Sequence, residues 1–214
     1  MNKPCLILGG GGHASVLLES LSILNQNVLG VISPDSLSSR KIFHGFTWYQ
    51  SDEEVAEIYR SDTVQIINGI GPLPKSDLRA RLQFAYEKKG FQFAGVISPA
   101  ASVSKYADCD TSVQIMRAAT VQVGAKLGKS SVVNTGAVIE HDCQLAEFCH
   151  VAPGAVLCGG VMLEKNVYIG ANATVFPGVR VGAGAIVGAG AIVISDIEAE
   201  KIIYPPRSIA RETR

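Results

Sequence analysis

From Ile97 to Val193 an apolar residue or a cysteine returns at every sixth position without a break. The run passes through Val103, Cys109, Ile115, Val121, Leu127, Val133, Ile139 and Leu145 and continues to Val187. Four residues after each member stands a small or β-branched residue, such as Ala119, Ala137, Cys143, Cys149, Ala155 or Val161. A period of six matches neither the 3.6-residue repeat of an amphipathic helix nor the alternation of a simple strand. It matches a short strand and a turn, repeated. Three such units close one triangular coil, with the large aliphatic in the interior and the small residue near the corner. Glycines such as Gly124, Gly128, Gly170, Gly182 and Gly188 fall one or three places after the aliphatic, where a turn favours a missing Cβ.

The repeat begins where the composition changes. Glycine, at 22 residues, concentrates after residue 95, and aromatics are only 7% of the chain. Two domains are expected, 1–96 and 97–214. Apolar residues make up 47%, enough for a sizeable core, and the formal net charge is +0. A nucleic-acid binder would carry a basic face, so none is expected. No stretch reads as a signal peptide or a membrane span, and a cytoplasmic protein is expected. The five cysteines are odd in number and form no CxxC pair, so free thiols are expected rather than a disulfide framework.

Ahead of the repeat, strands alternate with helices. Residues 3–8, 28–33, 64–68 and 91–97 read as strands, and 14–24, 53–60 and 75–89 as helices. That order predicts a small α/β domain with a parallel sheet. A glycine run, Gly9-Gly10-Gly11-Gly12-His13, opens the first helix. Backbone N–H groups at such a turn can approach a phosphate, although the run is not the dinucleotide fingerprint. Ser33-Pro34-Asp35 and Gly69-Ile70-Gly71 reach the same carboxyl edge of the sheet, where open α/β folds bind ligands.

Within the repeat, one segment is polar: Asn134, Glu140-His141-Asp142, Glu147 and His150. His141, two places after Ile139, points outward near a corner. A carboxylate beside an imidazole fixes its tautomer and supports general-base work on an amine or hydroxyl. The histidines alone make no metal-ligand set, so no metal is expected.

The hexapeptide pattern over 97–197 resembles the hexapeptide-repeat acyltransferase superfamily, whose members form left-handed parallel β-helices and are typically trimers with acetyl-CoA in grooves between subunits. The order Asn134…His141-Asp142…His150, with the GGGGH loop, resembles the PglD/NeuD-like bacterial nucleotide-amino-sugar N-acetyltransferases over nearly the whole chain. The resemblance implies a catalytic group of His141 as general base, Asp142 as the acid that increases its basicity, and Asn134. It implies acetyl-CoA contacts at His150, Ala171 and Ala189, and a backbone oxyanion donor at Gly159. It implies nucleotide-sugar contacts at Gly11, Gly12, His13, Ser33, Pro34 and Asp35, and a coenzyme-covering tail at Tyr204-Pro205-Pro206-Arg207. The expected product is an N-acetylated nucleotide-linked sugar of the 4-amino-4,6-dideoxy type, made by direct transfer in bacterial surface glycan synthesis by a homotrimer. O-acetylation of a sugar or sialic acid, and a non-catalytic nucleotide-sugar-binding scaffold, are the alternatives. Ser33-Pro34-Asp35 departs from the family's acidic pair, and Gly71-Pro72-Leu73-Pro74 from its usual loop, which leaves the nucleotide open.

Overall fold

The computed structural model describes residues 3–205. The first half contains β1 (Cys5–Leu8), α1 (Gly12–Ile23), β2 (Val28–Ile32), β3 (Thr47–Tyr49), α2 (Asp52–Ile58), β4 (Gln65–Asn68), α3 (Leu78–Lys88) and β5 (Gln92–Ala94), with one 3-10 turn at Lys41–Phe43. All strand pairs are parallel, in the order β3-β2-β1-β4-β5. The strand order reverses between β1 and β4, so the crevice outside their carboxyl ends is the switch point of the sheet. β1 is fully buried, because helices cover both faces of a parallel sheet.

The strand read over 91–97 divides at Gly95, with Gln92–Ala94 in the α/β sheet and Val96–Ile97 on the coil, and other local readings change as well. α1 starts at Gly12 rather than Ala14. α3 starts at Leu78 rather than Lys75, because Pro72 and Pro74 precede it and Lys75 takes a left-handed φ of +63°. β3 has only three residues, too few to show a period, although its Thr-Trp-Tyr composition suits a strand.

Beyond Gly95 the chain runs as two-residue strands in three parallel stacks. The first face has seven strands, from Val96–Ile97 to Ile202–Ile203. The second has six, from Ser102–Val103 to Ile192–Val193, and the third has five, from Asp108–Cys109 to Arg180–Val181. The register is constant, as in Val133 with Val151 and Ile139 with Leu157. A two-residue strand cannot persist alone. Each is held by the neighbouring coils, as where Val138 N–H donates to Ala155 O at 2.9 Å. The two apolar series form one continuous core, joining Ile115, Ile139, Leu157 and Ile169 to Ala119, Ala137, Cys143 and Ala155. Burying each large aliphatic contributes roughly 1.5–3 kcal/mol.

Ile97 corrects the simple reading of the repeat. It is 43% exposed rather than interior, because it opens the first coil and has no coil beneath it. Val103 and Cys109 in the same coil are half-buried. Glycines serve two purposes in the coils. Gly124 takes φ +75°, whereas a Cβ on Gly170 would meet the next coil's Ala189 N at 2.5 Å.

The α/β half docks on the first face. Ile7, Leu17 and Leu18 share a core with Met116 and Val132. Gln83 Nε2 donates to Ser130 Oγ at 2.6 Å, and Lys129 pairs with Glu87 at 2.8 Å. Among the described residues, no helix is long and apolar enough to cross a membrane. Pro206 and Arg207 of the expected covering tail lie outside the described residues.

Candidate active site

The corner between the second and third faces stacks Val123, His141 and Gly159, tied by Asp142 N–H to Val123 O at 3.1 Å and Gly160 N–H to His141 O at 2.9 Å. The His141 side chain is 60% exposed, and its Nδ1 stands 2.9 Å from Asp142 Oδ2. With the proton on Nδ1, that contact leaves the lone pair on Nε2. Gly159 lies against the other side of the ring, where a Cβ would sit 2.5 Å from Nε2. Cys158 and Gly160 donate their N–H groups to Val175 O and His141 O. The N–H of Gly159 has no acceptor among the described residues.

Two buried thiols of this part of the coil, Cys143 and Cys149, are poor nucleophiles. Burial pushes Cys143 up to about 11 and Cys149 up to about 12. Both sit at small-residue positions of the repeat, and the Cys143 Sγ–H donates to Cys158 O at 3.2 Å.

Asn134 and His150 form a second group elsewhere. Asn134 Nδ2 is 3.3 Å from His150 Nε2, and Asn134 Oδ1 accepts from Thr135 N–H at 2.8 Å. His150 is buried and packs edge-on against Tyr168, ring centres 4.8 Å apart. Its Nδ1 is buried with no hydrogen-bond partner among the described residues. Burial, then the charges of His13 and Arg79, pull its imidazole down to about 3. A cavity of about 610 Å³ between the start of α3 and the first face is lined by Arg79, Phe84, His150, Tyr168 and Ile186.

Within the chain these two groups do not meet. Each six-residue step turns the chain by one face. Asn134 therefore lies at the corner between the first and second faces, and His141 lies one corner further on. His150 returns to the first face. Ala171 stacks one coil below Ala189 at Asn134's corner, with Gly190 N–H donating to Ala171 O at 2.8 Å. The residues implied for acetyl-CoA are thus divided, Gly159 beside His141 and the others on and beside the first face.

The glycine loop lies at the sheet's switch point. Gly11 and Gly12 are exposed, and Gly11 caps α1 without a side chain. The first-turn N–H groups of α1 have no partner within the helix, which makes this end a favourable place for a phosphate. Gly10 packs on the end of β2, where its Cβ would lie 3.0 Å from Ser33 Oγ. Ser33 itself is buried, and its hydroxyl accepts from Asp35 N–H at 3.2 Å, so Pro34 and Asp35 present the exposed surface. His13 turns away from the loop mouth and sets Nε2 2.8 Å from Gln114 Oε1 on the β-helix. Arg40, missed in the sequence, brings Nη2 to 3.9 Å from where a Gly12 Cβ would be. Arg40 follows two serines in a loop with no period, so no pattern marks it. Among the described residues, no three His, Cys, Asp or Glu side chains converge as a metal site would require.

Residues 160–195 match a family model described as the hexapeptide repeat of succinyl-transferase. The chain is similar to a histidine-to-asparagine mutant of perosamine N-acetyltransferase from Caulobacter crescentus, solved in complex with CoA and GDP-perosamine. Identity is 30%, covering 93% of this chain and 92% of that one, with a TM-score of 0.82. It is also similar to the acetyltransferase domain of PglB from Neisseria gonorrhoeae FA1090 in complex with acetyl coenzyme A. There the identity is 26%, covering 94% of this chain and 96% of that one, with a TM-score of 0.83.

Proposed function

The chain belongs to the hexapeptide-repeat nucleotide-amino-sugar N-acetyltransferases, and on that premise we propose that it acetylates a nucleotide-linked 4-amino-4,6-dideoxy sugar by direct transfer with His141 as general base. It is an acetyl-CoA-dependent sugar N-acetyltransferase with a Rossmann-like α/β half and a left-handed parallel β-helix. Acetyl-CoA is the co-substrate. Residues 1–96 hold the nucleotide sugar and 97–214 carry the acetyl transfer. The pathway is bacterial surface glycan synthesis.

The observation that carries this reading is the outward His141–Asp142 pair with Gly159 against its ring. The sugar amine attacks the thioester carbonyl while Nε2 of His141 takes its proton. Asp142 holds the Nδ1 proton and steadies the imidazolium. General-base help of this kind contributes about 10²–10⁴-fold. The Gly159 N–H donates to the oxygen that becomes negative in the tetrahedral intermediate. Collapse breaks the C–S bond, and the imidazolium returns the proton to the departing sulfur. No acyl-enzyme forms.

The nucleotide lies at the switch point, its phosphates on Gly11, Gly12 and the start of α1 with Arg40 beside them, and Pro34 and Asp35 at the rim. His150, Ala171 and Ala189 contact acetyl-CoA. The active unit is a homotrimer, which brings one protomer's first face to another's second corner. Exposed apolar residues on and beside the second face support this, namely Val123 at 51%, Phe176 at 44%, Ile192 at 65% and Ile194 at 71%.

Thiol release from acetyl-CoA, measured against UDP-, GDP- and dTDP-linked 4-amino sugars with free sugars and sialic acid alongside, tests the reading. Turnover of one nucleotide-linked amine, lost in His141→Ala, is the expected result. Turnover with hydroxyl acceptors alone makes the reaction O-acetylation, and silence with every acceptor despite acetyl-CoA binding sinks the acceptor class.

A further inference from the structure

Asp142 reaches the His141 ring from a backbone conformation that few side chains adopt. Its φ is +61°, in the left-handed region. Its N–H is tied to Val123 O at 3.1 Å, so the backbone is pinned to the coil beneath. The direction of the carboxylate then depends on what that coil places under it. Gly124 lies there. A Cβ on Gly124 would overlap Asp142 Oδ1 and stand 3.4 Å from Cγ. The other oxygen, Oδ2, faces His141 Nδ1 at 2.9 Å.

Backbone conformation does not by itself demand glycine at this position. Gly124 has φ +75°, but Ala118, Ser130 and Phe148 occupy the same place in other turns at φ +58°, +58° and +56°. What separates Gly124 is the carboxylate above it. The same packing recurs where Asn172 stands over Gly154, whose Cβ would lie 3.4 Å from Asn172 Cγ. The glycine seat is therefore a general device of these stacked corners, and at Asp142 it lies beside a reactive imidazole.

We propose that Gly124 is a positioning residue for the reaction. Its missing side chain is the seat of Asp142 Oδ1, which keeps Oδ2 on His141 Nδ1 and leaves Nε2 as the basic nitrogen. The role rests on the reading of His141 as general base, but its geometry can be measured without turnover.

The test compares Gly124→Ala with Gly178→Ala in the full chain. Gly178 has φ +71° and nothing within 4 Å of its Cβ, so both variants carry the same backbone strain and only the first meets the carboxylate. Gly124→Asn is the second variant, since Asn enters the left-handed region more readily than Ala and keeps the test open where Gly124→Ala fails to fold. Ring ¹⁵N shifts of His141, assigned by their loss in His141→Ala, read the tautomer. The wild type and Gly178→Ala hold the proton on Nδ1. Gly124→Ala, Gly124→Asn and Asp142→Asn redistribute it towards Nε2. Turnover falls roughly ten- to hundredfold in the Gly124 variants, with KM for acetyl-CoA unchanged. A wild-type tautomer and turnover in folded Gly124 variants overturn the proposal. So does an equal loss in Gly178→Ala, which makes the effect backbone strain. If the tautomer shifts as expected while His141→Ala keeps full turnover, the positioning stands and the general-base reading falls.

Discussion

His13 Nε2 lies 2.8 Å from Gln114 Oε1, across 101 residues of chain, and this contact ties the glycine loop to the first face of the β-helix. Gln114 is the hub of the junction. Its Oε1 also accepts from Arg79 Nη2 at 3.0 Å, and its Nε2 donates to Asn68 O at 2.8 Å. Because Oε1 only accepts, the His13 proton sits on Nε2. Arg79 is bound by the carbonyls of Asn68 and Ile70 at 2.8 and 2.7 Å rather than by a carboxylate. Burial pulls its guanidinium down to about 9, still charged at neutral pH.

That junction is sensitive to acid. Burial, then the charge of Arg79, pulls His13 down to about 4, with the Gln114 bond opposing. His150 is pulled down to about 3. Both imidazoles are neutral in the folded protein, while in the unfolded chain they take up protons near 6.5. The unfolded state thus binds more protons below 6.5, and stability present above that pH is lost as pH falls towards 4 and 3. The loss amounts to about a few kcal/mol. Urea midpoints are expected to fall between pH 7 and pH 5, and His13→Gln to flatten part of the dependence. A midpoint constant over that range contradicts the assignment.

His141→Ala is expected to lower turnover by about 10²–10⁴-fold. The side chain is 60% exposed, so the melting temperature should stay within about 2 °C of the wild type. A comparable loss of folded protein would mean that the residue is structural.

Gly159→Ala separates geometry from folding. Its Cβ would lie 2.5 Å from His141 Nε2 and 2.6 Å from Cε1, and the ring is free to swing outward. Gly159 is not among the left-handed residues, so the backbone carries no strain. Turnover should drop roughly ten- to hundredfold with little change in thermal stability. Full activity would show that the ring need not stay against the Gly159 backbone.

Arg40→Ala addresses the nucleotide. If the guanidinium beside Gly12 binds a phosphate, its loss removes a charge-assisted hydrogen bond of about 1.5–3 kcal/mol. KM for the nucleotide sugar should then rise by roughly ten- to hundredfold, while KM for acetyl-CoA holds. Equal changes in both constants would argue against a phosphate contact.

Much of the fold is legible in the chain because the coil's period is written in its side chains. The core must be filled once per face, so Ile139, Leu145 and Val151 declare the register without any long-range information. The His141–Asp142 pair is also legible, since neighbours in sequence cannot be far apart in space. Ile97 misleads, because periodicity does not say that the first coil has no coil beneath it. β3 is silent, because three residues cannot display an alternation.

The sequence by itself determined the three-faced coil, the parallel sheet before it and the His141–Asp142 pair at a corner, because each depends on spacing within a few residues. The tertiary structure alone decided that Gly124 seats Asp142, that Gly159 borders His141, that Asn134 and His150 lie apart from them, and that His13 meets Gln114 rather than facing the loop mouth. Those contacts join residues 18 apart, as in Gly124 with Asp142 and His141 with Gly159, or 101 apart, as in His13 with Gln114. Stacking and docking set such distances, and no local pattern encodes which side chain will fill the space a neighbouring coil leaves open.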